Sequence, residues 1–242
     1  MNKKTILILG ASSDIGLALI EQVHARYDKI IAHYHRSCEE LLVLKERFGK
    51  KIIPIAGDFS DKKDMCRFIR DVETACQCPS HIIHMPAERF KLERFTDKRW
   101  TDLQREMNIE LRSVYEVLQK FIMPMSKLGA GKIVFMLSSV TDSPPKYTAD
   151  YTAVKFALLG LSKSLAAEYA GKVCINAVSP SMIETKFLKD IPGNAVLQNA
   201  QANPMKRNAY VSDVVPAIEF LLSDSANFIT GQNLVVSGGS TL

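Results

Sequence analysis

The sequence predicts an α/β protein built on one doubly wound parallel sheet of about seven strands with helices on both faces. Short apolar runs alternate with amphipathic helical patterns from Thr5–Leu9 to Asn233–Val236, which is typical of parallel βαβ units. Polar or turn-forming residues follow several runs, among them Gly10, Asp58 and Ser139. Because ligands of such folds bind at the carboxyl ends of the strands, we expect the site at that edge.

The strands and helices can be placed in chain order. The predicted strands cover residues 5–9, 29–34, 52–56, 80–84, 133–137, 173–178 and 233–236. Helical patterns cover residues 38–48, 62–76, 97–125, 149–170 and 211–222, and one more follows the first strand. Residues 181–207 carry Pro and Gly without clean periodicity, which predicts a loop with short helices in the position of a substrate lid. The 242 residues are expected to form a single domain.

Composition excludes several classes of protein. The net charge of +5 is spread along the chain without a long basic run, so nucleic-acid binding is not expected. No apolar run reaches the length of a membrane span. We interpret the basic start and short apolar run as a strand rather than a signal peptide. Five cysteines without a C-x-x-C pair favour reduced thiols and a cytoplasmic protein.

A glycine-bearing turn joins the first strand to the first helix. The turn reads Gly10-Ala11-Ser12-Ser13-Asp14-Ile15-Gly16. A strand, a glycine turn and a helix together aim backbone N–H groups at a phosphate. The alternative is a plain strand-to-helix turn, but both flanking elements favour the phosphate interpretation. We therefore expect Gly10, Ser12, Ser13, Asp14, Ile15 and Gly16 to contact a dinucleotide.

The end of the second strand bears on the choice of nicotinamide cofactor. An acid there would bind the ribose hydroxyl of NAD, but the sequence is His33-Tyr34-His35-Arg36-Ser37. Arg36, aided by His35, could instead bind the 2′-phosphate of NADP, because a planar guanidinium suits that anion. The alternative is a solvated surface arginine. His33 and His35 have no partner at a metal-site spacing, so no metal is expected.

The stretch 131–170 combines a buried strand ending in Ser138-Ser139, a loop with two prolines, and a helix carrying Tyr151 and Lys155. A spacing of four puts Tyr151 and Lys155 on one helix face. A fixed ammonium favours the phenolate and lowers the tyrosine pKa, while a serine can hydrogen-bond the reacting oxygen. A Tyr-x-x-x-Lys pair also occurs by chance, so the prediction of a proton-transfer site rests on the position of the pair after the strand that ends in two serines.

These motifs together resemble the short-chain dehydrogenase/reductase family, whose fold is of the Rossmann type, over essentially the whole chain. The resemblance rests on the glycine turn, Asp58, Asn108, Ser-Ser before a proline loop, YTAVK at 151–155, NAVSP at 176–180 and the ITGQ and GG pairs of the tail. Within the family the chain is most similar to 3-oxoacyl-acyl-carrier-protein reductases. The resemblance implies NADPH-dependent reduction of a carbonyl, with a homodimer or homotetramer as the assembly.

The resemblance also implies residue roles. Tyr151 would protonate the carbonyl oxygen, Lys155 would lower the tyrosine pKa and hold the nicotinamide ribose, and Ser139 rather than Ser138 would hydrogen-bond the carbonyl. Asn108 would hold a relay water behind Lys155. Further cofactor contacts are expected from Asp58, Phe59, Pro180, Ile183 and Thr185.

The chain departs from the family pattern along the cofactor edge. Asp14 stands where a glycine is usual and brings a negative charge near the pyrophosphate, and His84-Met85-Pro86-Ala87 replaces Asn-Asn-Ala-Gly. The interval from Ser139 to Tyr151 is one residue shorter than usual. The expected substrate is a 3-oxoacyl thioester of fatty-acid biosynthesis, with Lys186, Lys189, Lys206 and Arg207 available to an acidic carrier protein. The alternatives are a reductase of a sugar or other small ketone, and a non-catalytic cofactor-binding scaffold or sensor.

Overall fold

Seven parallel strands form one sheet in the computed structural model, which describes residues 4–89 and 91–242. The order across the sheet is β3-β2-β1-β4-β5-β6-β7, and every pairing is parallel. The predicted fold class is therefore confirmed. The bounds are β1 Thr5–Leu9, β2 Lys29–Tyr34, β3 Ile52–Ala56, β4 His81–His84, β5 Gly131–Met136, β6 Val173–Pro180 and β7 Asn233–Val236.

Eight α-helices connect these strands within the described residues. They are α1 Asp14–Val23, α2 Glu39–Phe48, α3 Lys62–Cys76, α4 Trp100–Met107, α5 Ser113–Leu128, α6 Ala149–Glu168, α7 Gly193–Ala202 and α8 Val211–Leu222. In the described part of the chain, no helix is long and apolar enough to cross a membrane.

The alternation of side chains along each strand divides the core into two layers. Ile6 and Ile8 of β1 pack with α1, α2 and α8 on one face of the sheet. Leu7 and Leu9 face the other side and pack with α3, α5 and α6. The central strands are apolar on both faces because helices cover both, as expected for a parallel sheet.

The predicted helix over 97–125 differs from the observed one. Asp97 ends a short 3₁₀ helix, Phe95–Asp97, and the long helix begins at Trp100 and ends at Leu128. Residues Asn108–Arg112 form a π turn between α4 and α5. A π turn accommodates an extra residue in a helix and often marks a functional site, but it leaves no signature that periodicity can detect.

The strand order reverses direction between β1 and β4, because the chain winds outward to β2 and β3 and then returns to β4. This is the switch point at which doubly wound sheets open a crevice for ligands. The carboxyl ends of the two strands, Leu9 and His84, are register partners. The glycine turn and the start of the segment after β4 therefore face each other.

His33 of β2 connects the glycine turn to the sheet through hydrogen bonds of both ring nitrogens. Its Nδ1 accepts the Gly10 N–H at 3.0 Å, and its Nε2 lies 2.9 Å from the Gly57 carbonyl oxygen. Since a backbone N–H can only donate, Nδ1 is unprotonated and Nε2 carries the hydrogen. The ring also stacks on Phe59, with ring centroids 4.0 Å apart. These contacts require the neutral form of the His33 ring.

Burial lowers the pKa of His33 to about 4. Its neutral form stabilises the fold fully above the unfolded-state pKa near 6.5, and that stability is lost as the pH falls toward 4. The loss is on the order of 3 kcal/mol, from the size of the shift. We expect the free energy of unfolding, measured by urea denaturation, to fall over this pH window.

His33→Phe should be less stable than the parent at pH 8, because Gly10 N–H loses its acceptor, but should lose less stability between pH 6.5 and 5. His35→Asn, at a partly exposed ring, is the control and should retain the parent slope. If the free energy of unfolding fell equally steeply with pH in the parent and in His33→Phe, His33 would not be the group that titrates.

Candidate active site

The turn after β1 is packed so tightly that glycine is needed at both ends. Gly10 has φ +81°, and a Cβ there would lie 3.2 Å from the Pro86 nitrogen. A Cβ on Gly16 would lie 2.6 Å from the Ala11 carbonyl oxygen. Ser13 caps α1 by accepting the Gly16 N–H at 3.1 Å. Backbone and helix N-terminus thus meet at the switch point in the arrangement that suits a phosphate.

Asp14, whose charge was expected beside the pyrophosphate, is bound to the segment after β6. Its Oδ2 accepts the backbone N–H of Lys186 at 2.7 Å, and its Oδ1 lies 3.7 Å from the Lys186 ammonium. The same ammonium contacts Glu40 at 2.7 Å. The negative charge of Asp14 is therefore partly offset by a lysine of this segment. Ser12 and Ile15 lie in the same stretch of turn and helix and are half-buried.

Polar and charged groups line the ends of β2 and β3. His35 Nε2 lies 3.4 Å from Asp58 Oδ2. Although burial alone would raise the pKa of Asp58, hydrogen bonds from the Ser60 hydroxyl and N–H lower it below its usual value. Arg36 is exposed, and no ion pair to it is found among residues 4–89 and 91–242. Its guanidinium is thus available to an anion.

Phe59 was expected to contact a cofactor, but the structure places its side chain in the core. The ring is 3% exposed and stacks on His33. Its carbonyl oxygen accepts a hydrogen bond from Arg112 at 2.8 Å. Asp58 is therefore partly exposed, whereas the side chain of the next residue, Phe59, lies in the core.

Tyr151 and Lys155 stand one turn apart on α6, beside the carboxyl end of β5. The Lys155 ammonium lies 5.2 Å from the centroid of the Tyr151 ring. The Tyr151 hydroxyl is hydrogen-bonded to the side chain of Ser138. A tyrosine, a lysine and a serine hydroxyl therefore lie together at one strand end.

The structure brings the side chain of Ser138 to Tyr151, and the role expected for its neighbour Ser139 stays a prediction. Ser138 is the last extended residue, with φ −161° and ψ 153°, and its side chain accepts from the Val140 N–H. Ser139 begins the 3₁₀ turn Ser139–Thr141, and its carbonyl accepts from two N–H groups after that turn.

Lys155 is buried and paired with an acid that the sequence analysis did not single out. Its side chain is 2% exposed, and Nζ lies 2.8 Å from Oε2 of Glu110, which is fully buried. Burial alone would lower the pKa of Lys155, but the charge of Glu110 outweighs it and raises that pKa. The lysine therefore remains an ammonium ion.

The pKa of Tyr151 is raised above its ordinary value, in contrast to the expected lowering. Burial is the largest cause; Lys155 lowers the pKa, while Glu110 raises it. The buried carboxylate thus cancels part of the effect that the lysine was expected to have. A tyrosine in this state holds its proton at neutral pH, which suits a proton donor.

Glu110 could have been recognised from the helix pattern. Val114, Leu118 and Phe121 form part of the buried face of α5, and positions 110 and 106 continue that face toward the N-terminus at intervals of four. Asn108, the residue expected near Lys155, opens the π turn and is half-buried. Its role in a relay stays a prediction, whereas Glu110 is the acid in contact with the lysine.

The remaining expected contacts come from the end of β6 and the segment that follows. Pro180 ends β6. Ile183 forms an isolated parallel bridge with Ala209, and Thr185 precedes the short helix Lys186–Asp190. Asp190 contacts Arg89 at 3.2 Å. Ion pairs at Lys186 and Asp190 thus connect the segment to α1, α2 and the chain after β4.

This arrangement fits a nicotinamide dinucleotide. The glycine turn leads directly into the N-terminus of α1, where backbone N–H groups can face a phosphate. Arg36 and His35 could hold the adenosine end, and Tyr151 and Lys155 could hold the nicotinamide end. The two groups lie along one edge of the sheet, on either side of the switch point.

Comparison with known proteins agrees with this geometry. A family model described as Enoyl-(Acyl carrier protein) reductase matches residues 10–241. Oxidoreductase UcpA of Salmonella typhimurium is 31% identical over 253 aligned residues, covering 99% of this chain and 95% of the relative. The 3-oxoacyl-[acyl-carrier-protein] reductase FabG of the same organism is 28% identical over 239 residues, covering 98% and 96%.

Two solved structures are similar over the whole chain. The 3-ketoacyl-(acyl-carrier-protein) reductase from Brucella melitensis, complexed with NADH, has a TM-score of 0.87 at 23% identity and covers 99% of this chain and 98% of its own. ElxO with NADP bound has a TM-score of 0.86 at 25% identity, with 98% of both chains covered. Since the family model and the UcpA match both span nearly the whole chain, this protein is an oxidoreductase of the short-chain dehydrogenase/reductase family.

Proposed function

We propose that this protein is an NADPH-dependent carbonyl reductase that converts a 3-oxoacyl thioester to the 3-hydroxyacyl form. The observation that carries the proposal is the convergence of Ser138, Tyr151 and Lys155 beside a glycine turn that fits a dinucleotide. Serine and tyrosine hydroxyls that share a hydrogen bond can both reach one additional oxygen atom. A carbonyl oxygen is the acceptor that such a pair would hold.

The roles follow from the protonation states. A bound reduced nicotinamide would supply the hydride that reaches the carbonyl carbon. Tyr151 donates its proton to the carbonyl oxygen, and its raised pKa keeps that proton available at neutral pH. Ser138 donates a hydrogen bond to the same oxygen and so stabilises the developing charge. Lys155, held as an ammonium by Glu110, stabilises the phenolate that remains.

NADPH is the proposed cofactor because of the charges at the end of β2. Arg36 is exposed and unpaired within the described part of the chain, and His35 is next to it. Asp58 lies at the end of the neighbouring strand, but His35 contacts its carboxylate and Ser60 donates to it. A phosphate at this place would meet a free guanidinium, whereas a ribose hydroxyl would find no free carboxylate on β2.

The proposed substrate class rests on the FabG relative, and UcpA, named only as an oxidoreductase, leaves the alternatives open. Two of the four cations expected to meet an acidic carrier protein have partners within the chain: Lys186 with Glu40, and Arg207 with Asp213 at 2.6 Å. Lys189 and Lys206 are exposed. A small thioester is therefore a better first substrate than a carrier protein. A sugar or other small ketone is the second candidate.

We also propose a cytoplasmic homodimer or homotetramer. Exposed apolar side chains occur on the long helices that the family resemblance associates with pairing, including Tyr115, Met123 and Phe156, which are 49%, 53% and 45% exposed. Contact between two copies would remove this surface from water.

NADPH oxidation, followed by absorbance with acetoacetyl-coenzyme A, tests the proposed activity. We expect turnover with the parent chain and a loss of about 10²–10⁴-fold in kcat for Tyr151→Phe, because the proton donor is removed. Tyr147→Phe, at an exposed tyrosine in the loop before α6, is the control and should retain full activity. A parent chain inactive on thioesters but active on small ketones would support the second candidate. Inactivity on all ketones, with NADPH bound, would support a scaffold or sensor.

The two serines can be separated by substitution. We expect Ser138→Ala to lower kcat about 10²–10³-fold, because the hydrogen bond to the reacting oxygen is lost. Ser139→Ala should lower it far less, since Ser138 is the serine whose side chain is hydrogen-bonded to Tyr151. Both variants are measured under saturating NADPH with unfolding midpoints alongside. The opposite ranking would restore Ser139 to the role that the resemblance implies.

Cofactor choice is tested at Arg36. We expect Arg36→Ala to raise the Kd for NADPH about 10–100-fold, as when a charge-assisted contact with phosphate is lost, and to leave the Kd for NADH nearly unchanged. Fluorescence titration of each cofactor measures this without turnover. Arg47→Ala, at an exposed arginine of α2 paired with Glu21, is the control. Equal losses for both cofactors would show that Arg36 does not bind the 2′-phosphate.

A further inference from the structure

Five charged side chains lie close together behind the proposed proton donor. Lys155 contacts Glu110 at 2.8 Å, and Lys98 contacts Asp150 at 3.0 Å with both side chains largely buried. Glu106, 9% exposed, interacts electrostatically with all four. The cluster thus contains two cations and three carboxyl groups. With all three acids ionised it would carry a net negative charge in a region that water barely reaches.

Protonation of Glu106 would remove this excess negative charge. Burial is the main cause that raises its pKa to about 8, followed by the charges of Glu110 and Asp150, while Lys155 and Lys98 oppose the shift. Glu110 is closed to solvent and held by the ammonium. A protonated Glu106 leaves two cations facing two carboxylates, so the cluster is neutral. Glu106 therefore holds a proton at neutral pH.

The groups of the cluster are arranged in order of depth, from the surface toward Tyr151. Glu106 lies in α4 at the rim, and Glu110 lies four residues further along, at 0% exposure, inside the π turn. Glu110 contacts Lys155, and Lys155 lies over the ring of Tyr151. Lys155 and Glu110 are in direct contact, while Glu106 interacts with Glu110 through its charge one helical turn away. Such a series is what proton transfer from solvent to a buried tyrosine requires.

We propose that Glu106 and Glu110 form a carboxylate relay that returns a proton to Tyr151 through Lys155 after each reduction. The proposal rests on the proposed function. When Tyr151 has given its proton to the carbonyl oxygen, Lys155 gives one to the phenolate, and Glu110 passes one from Glu106 to Lys155. Solvent then reprotonates Glu106. The relay takes up one proton from solvent for each carbonyl reduced, while the hydride comes from the reduced nicotinamide.

Two other ionisable side chains lie beside the relay. The Glu88 N–H donates to Glu110 Oε1 at 3.1 Å, and the Glu88 carboxylate contacts Arg105 at 2.6 Å outside the cluster. His84 lies near Lys155 on β4, and burial lowers its pKa well below the usual value, so it stays neutral. Glu106 is thus the group of the cluster expected to titrate near neutral pH.

The first measurement needs no turnover. Glu106→Gln mimics the protonated acid in shape and charge but has no titration. Over about pH 5–8 the folded parent holds a proton at Glu106 that the unfolded chain releases, so raising the pH destabilises the parent relative to the variant. The ratio of their unfolding constants should change by up to about tenfold per pH unit. Asp102→Asn, an exposed acid one turn earlier on α4, is the control and should give a constant ratio.

The second measurement is the pH dependence of kcat with NADPH and acetoacetyl-coenzyme A. We expect kcat of the parent to fall above about pH 8, where Glu106 loses its proton. Glu106→Gln should be at least about tenfold slower at pH 7, with that inflection absent, while its KM stays close to the parent value. Asp102→Asn should keep the parent profile.

The outcomes separate the relay from the proposed function. A constant stability ratio for Glu106→Gln would overturn the relay, because Glu106 would then hold no proton. A Glu106→Gln variant with parent kcat and pH profile would also overturn it, while leaving the reductase activity in place. A parent chain that shows the stability slope but reduces no ketone with either cofactor would overturn the proposed function, and the relay with it.

Discussion

The buried ammonium of Lys155 is the constraint on which the site depends. An unpaired charge in the interior costs several kcal/mol, so the fold must supply a carboxylate or neutralise the lysine. Glu110 supplies it at 2.8 Å, and the π turn Asn108–Arg112 is where the helix carries that acid. The π turn of the long helix therefore places the carboxylate that pairs with the buried ammonium.

This pairing changes how a tyrosine and a lysine work together. An isolated ammonium would favour the phenolate strongly. Here the positive charge is largely matched by a carboxylate, and the pKa of Tyr151 is raised by burial. The site holds its proton until a better acceptor, such as a developing alkoxide, is present. A protonated tyrosine is the form that can donate to a carbonyl oxygen.

Sequence reasoning located most strands and the sheet class, because βαβ alternation is visible in hydrophobic pattern alone, as in Thr5–Leu9 and its glycine turn. It also placed Tyr151 and Lys155 on one helix face. It missed the π turn, since one extra residue leaves the apolar period nearly unchanged. It selected Ser139, whereas Ser138 is the serine whose side chain is hydrogen-bonded to Tyr151. Phe59 was expected to contact a cofactor, and sequence reasoning did not anticipate that its ring stacks on His33, a contact between segments distant in sequence.

The Lys186 contacts with Asp14 and Glu40 join the segment after β6 to the first two helices. A pyrophosphate arriving at the N-terminus of α1 would meet Asp14 and would itself attract the Lys186 ammonium. Cofactor and carboxylates then compete for one cation, so the free energy of cofactor binding and the position of this segment are linked, each influencing the other equally. The energetic coupling is carried by surface ions that salt screens. Raising the ionic strength should therefore weaken this coupling between cofactor binding and the segment after β6.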